Sequence, residues 1–454
     1  MALSNLEFKG KKVTVIGLAR SGAGAANLLH SLGAEVTVTD LRGASELEQY
    51  TALLSGGIKK VLGSHPDELF LDADLVVFSP GVPMSAPPLV KAAKAGVPLM
   101  GEMELAFRVA NSPFIAITGT NGKSTTTTLV GLMLKEAGMK VQVGGNLGNA
   151  LTEKPEELMD KDYIVAEVSS FQLEGIATFR PKIAALLNIT QDHLDRYPDM
   201  DSYAEAKALV FKNQTADDFF VVNADDLPSM HLRERARSRK VLFSRKQYIK
   251  DGVSIRDGYI ISGLTPDVVQ EVVPIDKIRI KGVHNLENAL AAAAISLAAG
   301  APTMAISKVL TEFPGLEHRL EHVREINGVE YINDSKGTNV GAVEKSVQSF
   351  ERPVILIAGG LDKHSDFSPL APLIKARVKK LILIGSAAKV MQKALGGETD
   401  TVLSGTLEDA VRMAKGAALP GDVVLLSPAC ASFDMFKDFE DRGRRFKDIV
   451  MGLT

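Results

Sequence analysis

The stretch Ile115-Ala116-Ile117-Thr118-Gly119-Thr120-Asn121-Gly122-Lys123-Ser124-Thr125-Thr126 has the residue types and spacing of a phosphate grip. A β-branched run from Phe114 to Thr118 ends at a small polar turn, and Lys123-Ser124-Thr125 opens a helical stretch reaching about Glu136. Such a turn aims backbone N–H groups at an anion at the positive end of the helix. The lysine adds mobile charge, and the serine hydroxyl can sit on a magnesium ion. Ile117 holds the place of the first glycine of a full Walker A pattern, so the match is to a shorter variant, Gly119-x-x-Gly122-Lys123-Ser124. A structural strand-turn-helix is the competing reading.

Other chemistry-bearing residues stand at the ends of apolar runs. Tyr163 to Ala166 reads as a strand that delivers Glu167, and Ile183 to Leu187 as one that delivers Asn188, with Asp192-His193-Leu194-Asp195 just beyond. In open α/β sheets the carboxyl ends of the strands form the ligand crevice, so Thr118, Glu167 and Asn188 should converge there. A lone histidine is usually structural, but His193 directly after a strand-end loop suggests a ligand or proton handler. Asn285 and Asn288 open a long alanine helix; their amides offer donor and acceptor together, and helix capping is the alternative. Near the start, Gly17-Leu18-Ala19-Arg20-Ser21-Gly22 follows a strand-like run, Lys12 to Ile16, and a second strand from Glu35 to Thr39 ends at Asp40. This is nearly a dinucleotide fingerprint, yet the methyl of Ala19 stands where backbone must approach a pyrophosphate. NAD, another nucleotide-bearing ligand and a structural turn all remain open. Ser79-Pro80-Gly81 is a further turn after a strand.

These residues need a scaffold of alternating strands and helices. A chain of 454 residues, 45% hydrophobic, is long enough for roughly three domains of about 150 residues. All three read as α/β, spanning residues 1–101, 102–313 and 314–454, the last beginning at the Phe313-Pro314-Gly315 linker. Between Phe243 and Ile280 the pattern alternates like short strands, with Asp251-Gly252 and Asp257-Gly258 as hairpin turns. In the last domain, Glu330–Ile332, Val354–Ala358, Leu381–Ile384 and Val423–Leu426 read as buried strands ending in polar or glycine-rich turns. With 52 basic and 55 acidic residues, the net charge of −3 gives no electrostatic case for a nucleic-acid or membrane partner. The single cysteine, Cys430, rules out an internal disulfide and reads as packing. No signal-like or membrane-spanning run is evident, so a soluble cytoplasmic protein is expected.

Taken together, Gly119 to Thr126, Glu167-Val168-Ser169-Ser170-Phe171-Gln172-Leu173, Asn188-x-x-x-Asp192-His193-Leu194-Asp195, His284-Asn285-x-x-Asn288, His318-Arg319 and Asn333-Asp334-Ser335-Lys336 resemble the Mur ligases, which form amide bonds in peptidoglycan precursors using ATP. The resemblance runs through essentially the whole chain. It implies Rossmann-like first and third domains around a central mixed-sheet domain of P-loop ATPase type. Ser169 to Leu173, the Gly17 to Gly22 turn and Ser427 to Asp434 look most like the member that adds D-glutamate to UDP-N-acetylmuramoyl-L-alanine through an acyl phosphate.

The resemblance also implies roles. ATP falls to Gly119, Thr120, Asn121, Gly122, Lys123, Ser124 and Thr125, with the amides from Gly119 to Ser124 facing its phosphates, and to Asn285, Asn288, Arg319 and Asp334. Two magnesium ions fall to Ser124, Glu167, His193 and Lys207, the lysine as a CO₂-derived carbamate; Lys212 competes for that part. The UDP-sugar is expected at Arg20, Ser21, Asp40, Arg42, Ser79 and Gly81, with Asn146 and Gln172 at its muramoyl-alanine end. D-glutamate is expected at Lys336, Thr338, Lys363, Ser432 and Phe439. Lys123, Glu167, His193 and Lys207 are the expected catalytic set, in a monomer. Competing functions are a ligase adding another amino acid, a folylpolyglutamate-type relative, and a nucleotide sensor or NAD-dependent oxidoreductase built on the first domain.

Overall fold

Short continuous apolar runs make strands buried on both faces, the condition of parallel sheets covered by helices. The computed structural model describes residues 7–148, 150–194, 196–362 and 365–453. In the first domain β1 (Lys12–Ile16), β2 (Glu35–Asp40), β3 (Lys59–Leu62), β4 (Leu75–Phe78) and β5 (Leu99–Gly101) form a parallel sheet in the order β3-β2-β1-β4-β5. The turn after β1 requires its glycines. Gly17 has φ +90°, and a Cβ on Gly22 would stand 2.0 Å from the Gly17 carbonyl.

The central sheet contains β6 (Phe114–Thr118), β7 (Val141–Gly145), β8 (Tyr163–Glu167), β9 (Ile183–Leu186), β10 (Phe219–Asn223), β11 (Arg239–Phe243), β12 (Gly252–Arg256), β13 (Tyr259–Thr265) and β14 (Val268–Pro274). Its nine strands run β14-β13-β12-β11-β10-β9-β6-β8-β7, antiparallel only at the β12 to β14 end. The hairpin expected at Asp257-Gly258 forms, with φ +50° and +79° at the two turn residues. The one expected at Asp251-Gly252 does not. Gly252 opens β12, which pairs parallel to β11, and a Cβ there would lie 2.3 Å from the Leu242 carbonyl. That glycine permits a close strand approach rather than a turn. An unforeseen hairpin joins β13 to β14 through Asp267, at φ +58°.

Two helices flank the phosphate-grip strand on one face. Lys123–Glu136 packs Leu129, Val130, Met133 and Leu134 into a core shared with Ala289 to Ile295 of the helix Val283–Ala298. Alanine side chains let these two helices approach closely. The N-cap of the second helix is Gly282, with no side-chain cap, so the capping role considered for Asn285 is not the one found. Asn285 Nδ2 donates instead to the Lys281 carbonyl at 2.8 Å.

In the third domain β15 (Glu321–Ile326), β16 (Val329–Asn333), β17 (Val354–Gly359), β18 (Val378–Ile384), β19 (Asp400–Leu403) and β20 (Val423–Leu426) lie in the order β15-β16-β20-β17-β18-β19. The edge strands β15 and β19 were not among the expected ones. β15 runs antiparallel to β16 through Asn327-Gly328, at φ +52° and +77°, the residue pair a tight hairpin favours.

The helix that follows the first domain is anchored in the second by a buried acid. After β5, the helix Glu102–Val109 carries Glu104, whose side chain is fully enclosed and accepts from the backbone N–H groups of Ala177, Thr178 and Phe179, each at 2.9 Å, and from Arg108. Gly101 N–H donates to the Gly175 carbonyl at 2.9 Å, and Cβ atoms at either glycine would collide with the other's backbone. This junction sets how the first sheet faces the central cleft.

Candidate active site

The ends of β8, β6 and β9 lie side by side, which brings Glu167, Thr118 and Asn188 to one edge, as the sheet pattern implies. Asn188 holds the phosphate loop open. Its carbonyl accepts from Thr120 N–H at 2.9 Å, its Oδ1 from Asn121 N–H at 2.9 Å, and its Nδ2 donates to the Asn121 carbonyl at 3.1 Å. The Thr120 and Asn121 amides are therefore already committed, a correction to the expectation that every amide from Gly119 to Ser124 faces the ligand. The first-turn amides of the helix that starts at Lys123 have no intrahelical partner by geometry, so they are the donors available to an anion. Gly122 has φ +87° and caps that helix, and Gly119 has φ +147° against Leu187 and Asn188.

Cations and oxygens are placed around this loop. Lys123 Nζ donates to the Gly119 and Thr120 carbonyls at 2.9 and 2.8 Å, folded back over the loop. Glu167 is buried; Asn146 Nδ2 donates to its Oε1 at 2.8 Å, while Oε2 has no hydrogen-bond partner. Lys207 sits on the helix Met200–Ala208 at 1% exposure, donates to the Gly119 carbonyl at 2.9 Å and lies 4.4 Å from the centre of the Tyr203 ring. Burial, reinforced by Lys123, drives its pKa well below the usual lysine range against the pull of Asp192 and Glu167. Lys212, the alternative, is exposed. His193, at φ +56°, packs edge-on to Phe171 with ring centres 4.7 Å apart, and its Nε2 is 3.7 Å from Asp192 Oδ2.

The third domain closes the other side of the same cleft, whose lining includes Thr120 to Thr125, Asn146, Glu167, His193, Asn285, Asn288, Arg319, Asp334, Lys336 and Thr338. Arg319 Nη2 donates to Ser124 Oγ at 3.1 Å, and Lys345 pairs with Glu287 at 3.0 Å. Burial pushes the Asp334 carboxyl up to about 6 despite hydroxyl donors from Ser346 and Ser427, and brings Lys336 down to about 8, with Arg319 adding to the effect. Burial also lowers His284, to about 3, with Lys345 and Arg319 contributing, so that imidazole is neutral. Thr125, Asn285 and Arg319 additionally face an adjoining cavity that runs past Lys281, Pro314 and Leu316.

Some expected residues lie elsewhere. Ser432 is buried and Phe439 lies beneath Lys336, whose Nζ is 3.5 Å from the ring centre; neither lines the cleft. Gln172 is engaged by Ser169 in a helix-start capping pair. Lys363, expected at D-glutamate, and Asp195 of the quoted motif lie outside the described residues. Arg20, Ser21, Asp40, Arg42, Ser79 and Gly81 gather at the ends of β1, β2 and β4, away from the cleft. There Asp40 accepts from Leu18 N–H at 2.8 Å and from Arg42. Burial opposes the Asp40 charge, but these bonds outweigh it and hold the carboxyl at about 2. Arg20 pairs with Glu153 at 2.8 Å, and Arg196 reaches from the His193 loop to the Pro80 carbonyl at 3.1 Å.

The comparisons with known proteins agree in order along the chain. Residues 11–101 match the profile of the MurD-like N-terminal domain of Mur ligases, residues 117–296 the Mur ligase middle domain, and residues 318–430 the Mur ligase glutamate ligase domain. The chain is 47% identical to the UDP-N-acetylmuramoylalanine–D-glutamate ligase of Geotalea daltonii, over 99% of each chain. It belongs to the Mur ligase family. To the ligase of the same name from Trichlorobacter lovleyi, this Mur ligase is 48% identical over 99% of its own length and 100% of the relative's. Its fold is that of the pseudomurein peptide ligase type C from Methanothermus fervidus, with a TM-score of 0.62 at 20% identity, covering 98% and 100% of the two chains.

Sequence reasoning missed two residues that organise this Mur ligase. Asn339, just past Thr338, caps the helix Val340–Gln348 and reaches across to the central domain. Its signal was a cap asparagine before a helical run. Arg442 is fully buried and donates to the carbonyls of Ser335, Cys430 and Ala431, tying together turns that the sequence separates widely. No local pattern announces it. Gly122 yields a direct prediction: a Cβ there would lie 2.2 Å from Asn288 Oδ1 in a left-handed conformation. Gly122→Ala should weaken ADP binding by about tenfold or more, from ~1–2 kcal/mol of backbone strain and a displaced Asn288, in a calorimetric titration of folded protein. Unchanged ADP affinity would contradict this geometry.

Proposed function

We propose that this Mur ligase joins D-glutamate to UDP-N-acetylmuramoyl-L-alanine at the expense of ATP, as a cytoplasmic, monomeric enzyme of peptidoglycan synthesis. The observation that carries the reading is the cleft itself. A phosphate loop, a strand-end carboxylate with a free oxygen, and basic side chains from two domains face one space, in a chain close to D-glutamate ligases along its whole length. No helix among the described residues is long and apolar enough to cross a membrane.

The substrate's terminal carboxylate attacks the γ-phosphate of ATP, giving an acyl phosphate and ADP, and the amine of D-glutamate then displaces phosphate to form the amide. Lys123 and the first-turn amides of its helix bind the phosphates, and Arg319 brings a further charge toward Ser124. Asn285 and Asn288 recognise adenine, which the adjoining cavity can accept beside the loop. Magnesium fits the donors present: the orphaned Oε2 of buried Glu167 and the Ser124 hydroxyl are the hard oxygens it seeks, and His193 stands at the same cleft for a second ion. When bound, magnesium neutralises phosphate charge. Lys207 is the lysine for the carbamate. Its burial favours the uncharged amine, the form that reacts with CO₂.

The first-domain group from Arg20 to Gly81 takes the UDP end, with Asn146 and Gln172 toward the muramoyl-alanine end. Thr338 and Lys363 take D-glutamate, assisted by Lys336, which Phe439 supports from beneath. A site built to pair both carboxylates rejects amino acids that lack one. Closing the third domain over the cleft keeps water from the acyl phosphate.

Phosphate release from ATP with UDP-N-acetylmuramoyl-L-alanine, measured across a panel of amino acids, should require D-glutamate. Equal release with L-alanine or a diamino acid would move the protein to another member of the family. Lys207→Ala should abolish activity, and added short carboxylic acids should restore part of it; full activity without rescue would remove the carbamate from the account.

A further inference from the structure

We propose that Asn339 is a positioning residue that makes the phosphate loop and the His193 loop depend on the third domain's being closed. Asn339 is 8% exposed and performs two tasks with the two ends of one amide. Its Oδ1 accepts from Ala342 N–H at 2.8 Å and so caps the helix Val340–Gln348. That cap fixes the orientation of the amide, because only the oxygen can accept from a backbone N–H. The Nδ2 group is thereby turned to the central domain, where it donates to Asn121 Oδ1 at 3.3 Å and to Asp192 Oδ2 at 3.1 Å.

Both acceptors belong to the machinery of the cleft. Asn121 lies in the phosphate loop, and its Nδ2 donates onward to Thr190 Oγ1 at 3.3 Å. Asp192 accepts from the backbone N–H of His193 at 2.9 Å through its other oxygen, so the carboxylate links Asn339 to the His193 backbone. The fit is close: a Cβ on Gly341, two residues along, would stand 3.3 Å from Thr190 Oγ1 and 3.6 Å from Asn121 Nδ2. On the other side Asn339 follows Thr338 directly, and Thr338 lines the cleft as a candidate D-glutamate contact. A ligand held at Thr338 therefore bears on Asn339, and Asn339 bears on the phosphate loop and the His193 loop. One of its bonds is to a carboxylate, the stronger class, so its loss should be felt in the rate.

The proposal rests on the D-glutamate ligase reading and separates from it experimentally. Wild-type enzyme must first show phosphate release that requires D-glutamate; its absence would fail the reading itself. Asn339→Ser keeps a side-chain oxygen for the cap and discards the amide donor. The expected result is an unchanged unfolding temperature, an unchanged KM for the UDP-sugar substrate, and a fall of about tenfold in kcat/KM for D-glutamate. Asn339→Asp also keeps the cap but sets a carboxylate against Asp192, and should fall further than Asn339→Ser at the same unfolding temperature. Wild-type kinetics in both variants would overturn the proposal. So would a loss of activity matched by a lowered unfolding temperature and by an equal change in every KM, since that is what a cap alone would give.

Discussion

An acyl phosphate can form only if a carboxylate meets a triphosphate, and the repulsion between these anions is the constraint that the rest of the site answers. Two unit charges 4 Å apart repel by about 4 kcal/mol at an effective dielectric constant near 20, and a triphosphate carries several. The answer begins in the sheet. β8, β6 and β9 end at one level, so the helix N-terminus after β6, the carboxylate that ends β8 and the amide of Asn188 after β9 meet without any long loop to order. Asn188 then spends its own amide on the loop rather than on a ligand, which leaves the helix amides and Lys123 for the anion.

Burial gives the lysines different parts. Lys123 lies at the mouth of the cleft, with its ammonium satisfied by loop carbonyls that phosphate can replace. Lys207 is enclosed beneath the same loop beside Tyr203, where an uncompensated ammonium is costly. Burial lowers the Lys207 pKa well below the usual lysine range, and the charge of Lys123 nearby adds to the effect. The third domain completes the arrangement through Arg319 and Lys336, which come within reach of the phosphate loop only because that domain lies over it.

Much of this was legible in the chain. The apolar runs before Thr118, Glu167 and Asn188 lack polar alternation, and such runs in an α/β protein place their ends together. The phosphate loop was legible because only glycine tolerates φ +147° and φ +87° at 119 and 122. Asp251-Gly252 misled because a glycine needed for strand approach looks the same as one needed for a turn. β15 leads into a turn pair, Asn327-Gly328, whose hairpin signal is short and easily missed. Asn339 and Arg442 were hidden for another reason: their partners, Asp192 in one case and Cys430 in the other, lie in other elements, and hydrogen bonds across elements leave no local period.

The central claim is that bond formation passes through an acyl phosphate in this cleft, and oxygen tracing tests it most directly. UDP-N-acetylmuramoyl-L-alanine labelled with ¹⁸O in its terminal carboxylate would be turned over with ATP and D-glutamate, and the released phosphate analysed by mass. Attack by the carboxylate on the γ-phosphate predicts one ¹⁸O atom in each phosphate formed. Phosphate that carries no label, alongside normal amide formation, would contradict the account.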